Sequence, residues 1–194
     1  VRAFLAVPPD PAWAAPVEER VRGLRPSLPS ASWTRPESWH LTLRFFPEIS
    51  AEAALRCADE TFRAAGVSVA ELPTGGSVVF PPRGRPRVLG LGFAPSSGVS
   101  ALEILAAEAE AAARGVGAAP EDRVYHPHVT LARIRSPWPH AAVERFRSEV
   151  DGWELPSFHV SAIVLYESRL GPSGAAHTPL RTFALALPRQ EVGA

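Results

Sequence analysis

The sequence predicts an α+β protein in which one strand–helix unit is used twice, giving a single domain of two lobes over residues 1–194. Three observations predict it. The order strand, helix, strand, helix, strand occurs once in each half of the chain. The third element of each half carries the same pattern, within "WHLTLRFF" at 39–46 and "HPHVTLARI" at 126–134. No linker-like stretch separates the halves, and the prolines and glycine of 81–86 mark only a crossover.

Taken in order, "RAFLAV" (2–7) is a short apolar run that reads as a strand, and 11–22 is helical up to Gly23. The strand 39–45 follows. A second helix, 51–65, places Ala51, Ala54, Leu55, Ala58, Phe62 and Ala65 on one face and closes at Gly66. Residues 67–80 are β-rich. The second half opens with the strand "RVLGLGF" (87–93), then a helix over 99–114 closed by Gly115. The strand 127–134, a helix near 139–149 ending before Gly152, and strands near 157–167 and 179–187 complete it.

Composition narrows the function. The 20 basic and 20 acidic residues cancel, which disfavours a protein that coats long duplex DNA through a broad basic field. Gripping one phosphate or a short RNA end stays open. Every basic residue is Arg, so a Schiff base, a P-loop lysine and a lysine–nucleotide adduct are all excluded. The planar guanidinium suits phosphate. The single Cys57 cannot form an internal disulfide, which fits a reducing, cytoplasmic setting, and its place in a helix reads as a packed thiol. The N-terminus is too short in apolar residues for a signal peptide. Nothing approaches the roughly 20 apolar residues of a membrane span.

Side chains alternate along a strand. His40, Thr42 and Arg44 therefore share one face of the first motif strand, opposite Leu41, Leu43 and Phe45. In the second, His128 and Thr130 face away from Val129 and Leu131. If the repeat makes a pseudo-two-fold pair, the polar faces meet across a cleft. Two imidazoles and two hydroxyls then surround one ligand. A histidine pKa near 6.5 lets one ring act as a base while the other holds a proton. Displacement at phosphorus needs both, and hydroxyl and guanidinium groups can hold the oxygens where charge accumulates. The bland alternative is a pair of amphipathic strands with polar outer faces.

The pieces "RAFLAV", "WTRPESWHLTLRFF", "VFPPRGRPRVLGLG", "HPHVTLARI" and "VLYESRLGPSGAAHTPL" span nearly the whole chain. In that order the sequence resembles the 2H phosphoesterase superfamily, and within it the RNA 2′,3′-cyclic phosphodiesterase (2′-5′ RNA ligase) family. The resemblance implies a bilobal fold with antiparallel sheets facing a central cleft and helices outside. It implies hydrolysis of an RNA 2′,3′-cyclic phosphate to a 2′-phosphate, running in reverse as ligation under forcing conditions. By position, His40 is the proton donor, His128 the proton acceptor, and Thr42 and Thr130 phosphate ligands. Leu43, Arg44 and Leu131 complete the substrate-binding stretches. Arg133 matches a family arginine on phosphate, although its parity requires a bulge to bring it to the face of His128. No metal and no cofactor is expected, and the expected partners are RNA ends or short oligonucleotides, with no membrane and no obligate protein.

Other residues are weighed against this. His126 and His128 have the spacing of a strand metal pair but lack further ligands nearby. His140, His159 and His177 stand in no motif, and His177 replaces an aromatic that relatives carry before "TPL". Arg83, Arg85 and Arg87 read as a solvated loop or as a guide for an RNA backbone. Trp33, Trp39, Phe80 and Tyr125 can stack on a base, against the alternative of core packing.

Overall fold

The computed structural model describes residues 1–64, 71–171 and 174–185. Ten strands and four helices follow one another: β1 (Ala3–Val7), α1 (Pro11–Leu24), β2 (Ser32–Trp33), β3 (Leu41–Phe46), α2 (Ala51–Ala64), β4 (Glu71–Leu72), β5 (Thr74–Phe80), β6 (Val88–Phe93), α3 (Ser97–Gly115), β7 (Val129–Arg133), α4 (His140–Asp151), β8 (Phe158–His159), β9 (Ala162–Gly171) and β10 (Gly174–Ala184). The expected closure of the second helix at Gly66, the start of the β-rich stretch at 67 and the end of the last strand at 187 lie outside the described residues.

The main sheet is antiparallel, in the order β10-β9-β1-β3-β7-β6-β5, with β2 also on the edge of β7. β4 and β8 form a separate two-stranded ribbon. The repeat is therefore laid out symmetrically about the β3–β7 junction, but with exchanged ends. β5, which belongs to the first repeat, pairs with β6, which opens the second. Conversely β9, from the second repeat, pairs with β1 at the start of the first. Between β3 and β7 the only pair is Leu41 with Val129. Two half-sheets are thus hinged at one point.

Helix boundaries follow their caps. The Asp10 carboxylate accepts from the Trp13 backbone N–H at 2.9 Å, and Pro11 opens α1, as N-cap and N1 preferences require. α1 buries Trp13, Val17, Val21 and Leu24, and the Trp13 indole donates to Thr74 Oγ1 at 2.7 Å, fastening the helix to β5. α3 starts two residues earlier than the periodicity suggests because Ser96 caps it, its hydroxyl accepting from Val99 N–H. In α2 the buried set is Ala53, Ala54, Cys57, Ala58 and Thr61, a face rotated from the expected one. Helix α3 packs along it. Cys57 is fully buried with its thiol aimed at the Ala109 carbonyl, and burial pushes its pKa up to about 11. It is a packed thiol. No described helix is long and apolar enough to cross a membrane.

Candidate active site

The Leu41–Val129 pair sets the site. Both side chains are fully buried, so their neighbours along each strand turn to the opposite face. In an antiparallel register through that pair, His40 stands across from Thr130 and Thr42 across from His128. Two imidazoles and two hydroxyls converge where the half-sheets meet. His40 Nδ1 lies 2.8 Å from the carbonyl of Ser38, and His128 Nδ1 lies 2.7 Å from the carbonyl of His126. Each ring is held by the residue two positions before it. A carbonyl only accepts, so each Nδ1 carries hydrogen and each Nε2 is left to exchange a proton.

The two strands share a second feature. In β3, Leu5 pairs with Arg44 and Ala6 with Thr42, leaving Leu43 as an extra residue. In β7, Leu89 pairs with Ala132 and Gly90 with Thr130, leaving Leu131 extra. Each His-x-Thr is therefore followed at once by a β-bulge. A bulge puts two successive side chains on one face and inverts the alternation beyond it. Leu43 and Arg44 are both buried, as are Leu131 and Ala132.

This corrects the expected face of Arg44. It points away from His40 into the core, 6% exposed, with its Nε 2.6 Å from Glu110 of α3 and further hydrogen bonds to the carbonyls of Phe45 and Ala119. Phe45 takes the site face instead, under the guanidinium of Arg2, whose Cζ is 4.5 Å from the ring centroid. The same inversion in β7 carries Arg133 to the face of His128. There it is exposed and repels a proton from both His40 and His128. The Leu43 and Leu131 side chains belong to the core, so any contact of theirs with a ligand runs through backbone groups.

Aromatic rings wall both sides. Phe4 stacks on His40 with centroids 4.6 Å apart, and Tyr166 stacks behind Phe4 at 5.1 Å. Phe80 flanks His128 at 4.8 Å and His126 at 5.9 Å. The floor beside Thr130 is Gly90, where a Cβ would meet the Val129 carbonyl oxygen at 2.6 Å, so a side chain there would force the strands apart. Trp39 is buried against Trp13 and serves the core. Trp33 is half-buried beneath Arg25. The Tyr125 hydroxyl is buried without a partner among the described residues, and burial raises its pKa.

His177 is the residue that sequence reasoning left aside. On β10, opposite Ser168, it meets His40 edge-on at 5.4 Å and Phe4 at 4.8 Å. Its Nδ1 is buried without a hydrogen-bond partner among the described residues. The signal was available in its position two residues before Pro179, within a strand paired to β9, but required knowing that β9 borders β1. His140 and His159 lie elsewhere, beside Glu144 (3.9 Å) and Asp10 (3.4 Å). Among the described residues no three His, Cys, Asp or Glu side chains are grouped to hold a metal ion.

Burial dominates the electrostatics. It lowers the pKa of His40 to about 4, against the raising effect of the Ser38 carbonyl, with His177, His128 and Arg133 adding repulsion. His128 is lowered by burial and by Arg133, and His177 by burial and by Arg2. A site that expels protons from its imidazoles is one that an anion would complete.

The family model described as LigT like Phosphoesterase matches residues 7–90 and again 93–177, one match per repeat. An RNA 2′,3′-cyclic phosphodiesterase of Aeropyrum pernix is 33% identical over 148 residues, covering 74% of this chain and 80% of the relative. A protein of the same name from Methanothermobacter thermautotrophicus is 30% identical over 191 residues, covering 95% and 99%. Among solved structures, TT0787 of Thermus thermophilus superposes with a TM-score of 0.71 at 25% identity, over 95% of this chain and 98% of that one. With both repeats matched and the paired histidine strands in place, the chain belongs to the LigT-like phosphoesterase family.

Proposed function

We propose that this protein hydrolyses 2′,3′-cyclic phosphate ends of RNA to 2′-phosphates through its two histidines, without a metal. One observation carries the reading: two imidazoles anchored identically through Nδ1, on either side of a single strand pair, each with Nε2 free. The names of the relatives from Aeropyrum pernix and Methanothermobacter thermautotrophicus support the substrate.

In this reading the cyclic phosphate lies between Nε2 of His40 and Nε2 of His128. Thr42, Thr130 and Arg133 hold its non-bridging oxygens. His128 takes a proton from water as the water oxygen attacks phosphorus. The P–O3′ bond breaks in line with the attack, and His40 gives its proton to O3′. The 2′-phosphate remains, and the proton gained by His128 balances the one lost by His40. The bound phosphodiester anion raises both histidine pKa values, which offsets their depression in the free protein. Replacing water by a 5′-hydroxyl in the same ring opening gives a 2′-5′ joining reaction.

The test is incubation with a nucleoside 2′,3′-cyclic phosphate in excess EDTA, with products followed by phosphorus NMR. A single 2′-phosphate product is expected, because acid and base sit on fixed sides. A mixture of 2′ and 3′ products, or activity lost to chelation and restored by zinc or manganese, would overturn the mechanism.

A further inference from the structure

Residues 81–88 ("PPRGRPRV") and 133–140 ("RIRSPWPH") contain five arginines and no acidic residue, in a chain whose charges otherwise cancel. The fold brings the two segments together. Val88 pairs with Arg133, the Ile134 N–H donates to the Arg87 carbonyl at 2.9 Å, and the Arg85 guanidinium donates to the Arg135 carbonyl at 3.1 Å. Arg83, Arg85, Arg87, Arg133 and Arg135 are all exposed. None of the five forms an ion pair among the described residues, whereas Arg22, Arg44, Arg114, Arg123, Arg147, Arg169 and Arg181 do.

The cluster begins at the site. Arg133 is close enough to depress protons on His40 and His128, and Arg135 is two residues on, about 7 Å further along the chain. The matching end of the other half-sheet is different. There Phe45 occupies the place after the bulge that Arg133 occupies in β7, and Arg169 is tied to Glu167 at 3.1 Å. Arg2 puts one guanidinium over Phe45 there, whereas five exposed arginines run on from the site along β7 and the segment beside it.

We propose that Arg83, Arg85, Arg87 and Arg135 bind the phosphates upstream of the cyclic end, so that the preferred substrate is an oligonucleotide rather than a nucleoside cyclic phosphate. This rests on the cyclic phosphodiesterase reading above. Arginine suits the task because its fork engages phosphate oxygens in pairs and it keeps its charge at any working pH. Four unpaired guanidinium groups in series are a poor arrangement for the isolated protein, since like charges repel. A single-stranded polyanion relieves that repulsion and releases its counterions.

The experiment measures kcat/KM for a nucleoside 2′,3′-cyclic phosphate and for an eight-residue oligoribonucleotide with the same cyclic end, across a potassium chloride series. The oligonucleotide should be favoured at least tenfold at low salt. Its logarithmic salt slope should be steeper by about 0.7 for each additional phosphate engaged. The variant R83Q/R85Q/R87Q/R135Q should bring both quantities down to those of the nucleoside while nucleoside turnover stays unchanged, which also reports that it folds. R145Q, an exposed arginine on α4 outside the two segments, should behave as the parent. Equal kcat/KM and equal salt slopes for the two substrates in the parent protein would overturn the proposal, leaving an acidic protein as the partner to seek. So would a fourfold variant that lost both substrates equally. Turnover of neither substrate by the parent protein would instead sink the reading on which it rests.

Discussion

The two halves of the site start from the same design and depart from it four residues after the histidine. In each, the histidine is pinned by the carbonyl two residues back, a threonine follows, and a leucine is squeezed out as a bulge. Past the bulge, β3 has Arg44 in the core and Phe45 on the site face, while β7 has Ala132 in the core and Arg133 on the site face. One arginine was placed on each strand, and the count of residues before it decides its use. Arg44 holds α3 in place through Glu110; Arg133 lies exposed on the face of His128. A bulge shared by both strands thus gives opposite fates to arginines one position apart in the motif.

Removing the shared part should do the most damage. His40→Ala and His128→Ala should each lower kcat by about 10²–10⁴-fold, the range of one acid–base group. The double variant should lose far less than the product, since the two act as a unit. Retention of activity within threefold by either would show that the halves are not an acid–base pair.

The arginines should then separate. Arg44→Ala leaves Glu110 without one of its partners in a largely buried pair and should lower stability by about 3–5 kcal/mol, read by urea unfolding. Arg133→Ala should leave the unfolding midpoint in place and lower kcat/KM by about 10–100-fold, as expected for one charge-assisted hydrogen bond. An unfolding midpoint that moved as far for Arg133→Ala as for Arg44→Ala would erase the distinction.

The pH profile sharpens the comparison further. The proposed mechanism requires a free enzyme with one histidine charged and one neutral, and both pKa values lie below 6.5. Above both of them the charged form is scarce. So kcat/KM should rise as pH falls from 8, peak on the acid side of 6.5, and decline where both rings are charged. The profile of kcat should lie at higher pH, because bound phosphate raises both values. An alkaline limb of kcat/KM above pH 7.5 would contradict the burial argument.

The smallest effect concerns His177, which repels a proton from His40 as His126 does from His128. His177→Phe keeps a ring against Phe4 and removes a group that repels protons from His40. The acid limb of kcat/KM, set by the lower of the two pKa values, should move slightly to higher pH with kcat nearly unchanged. An unmoved limb would make His177 part of the wall alone.

Much of this was legible in the chain. The repeat, both histidines and both threonines followed from period-two alternation and order, because strands that bury one face must alternate. The bulge in the first motif strand was not legible from the pattern. "HLTLRF" alternates without a break, and only the pairing with β1, which skips Leu43, reveals that Arg44 turns inward. For Arg133 the parity conflict itself pointed to a bulge, since a charged residue in phase with Leu131 would otherwise be buried. His177 escaped for a different reason. Its neighbour His40 lies 137 residues earlier, joined through β9 and β1, and no local signal spans that distance.

The exchange of end strands has a consequence in time. Ala6 waits for Val164, emerging from the ribosome 158 residues later, before its open edge is covered. A nascent chain that has already delivered both histidine strands still lacks the wall of β9 and β10 beside His40. Such long-range pairing is slow to form and leaves an edge exposed while it waits. Chains arrested just after α4 should therefore contain both motifs and show no turnover. Supplying a peptide of residues 157–185 should restore it.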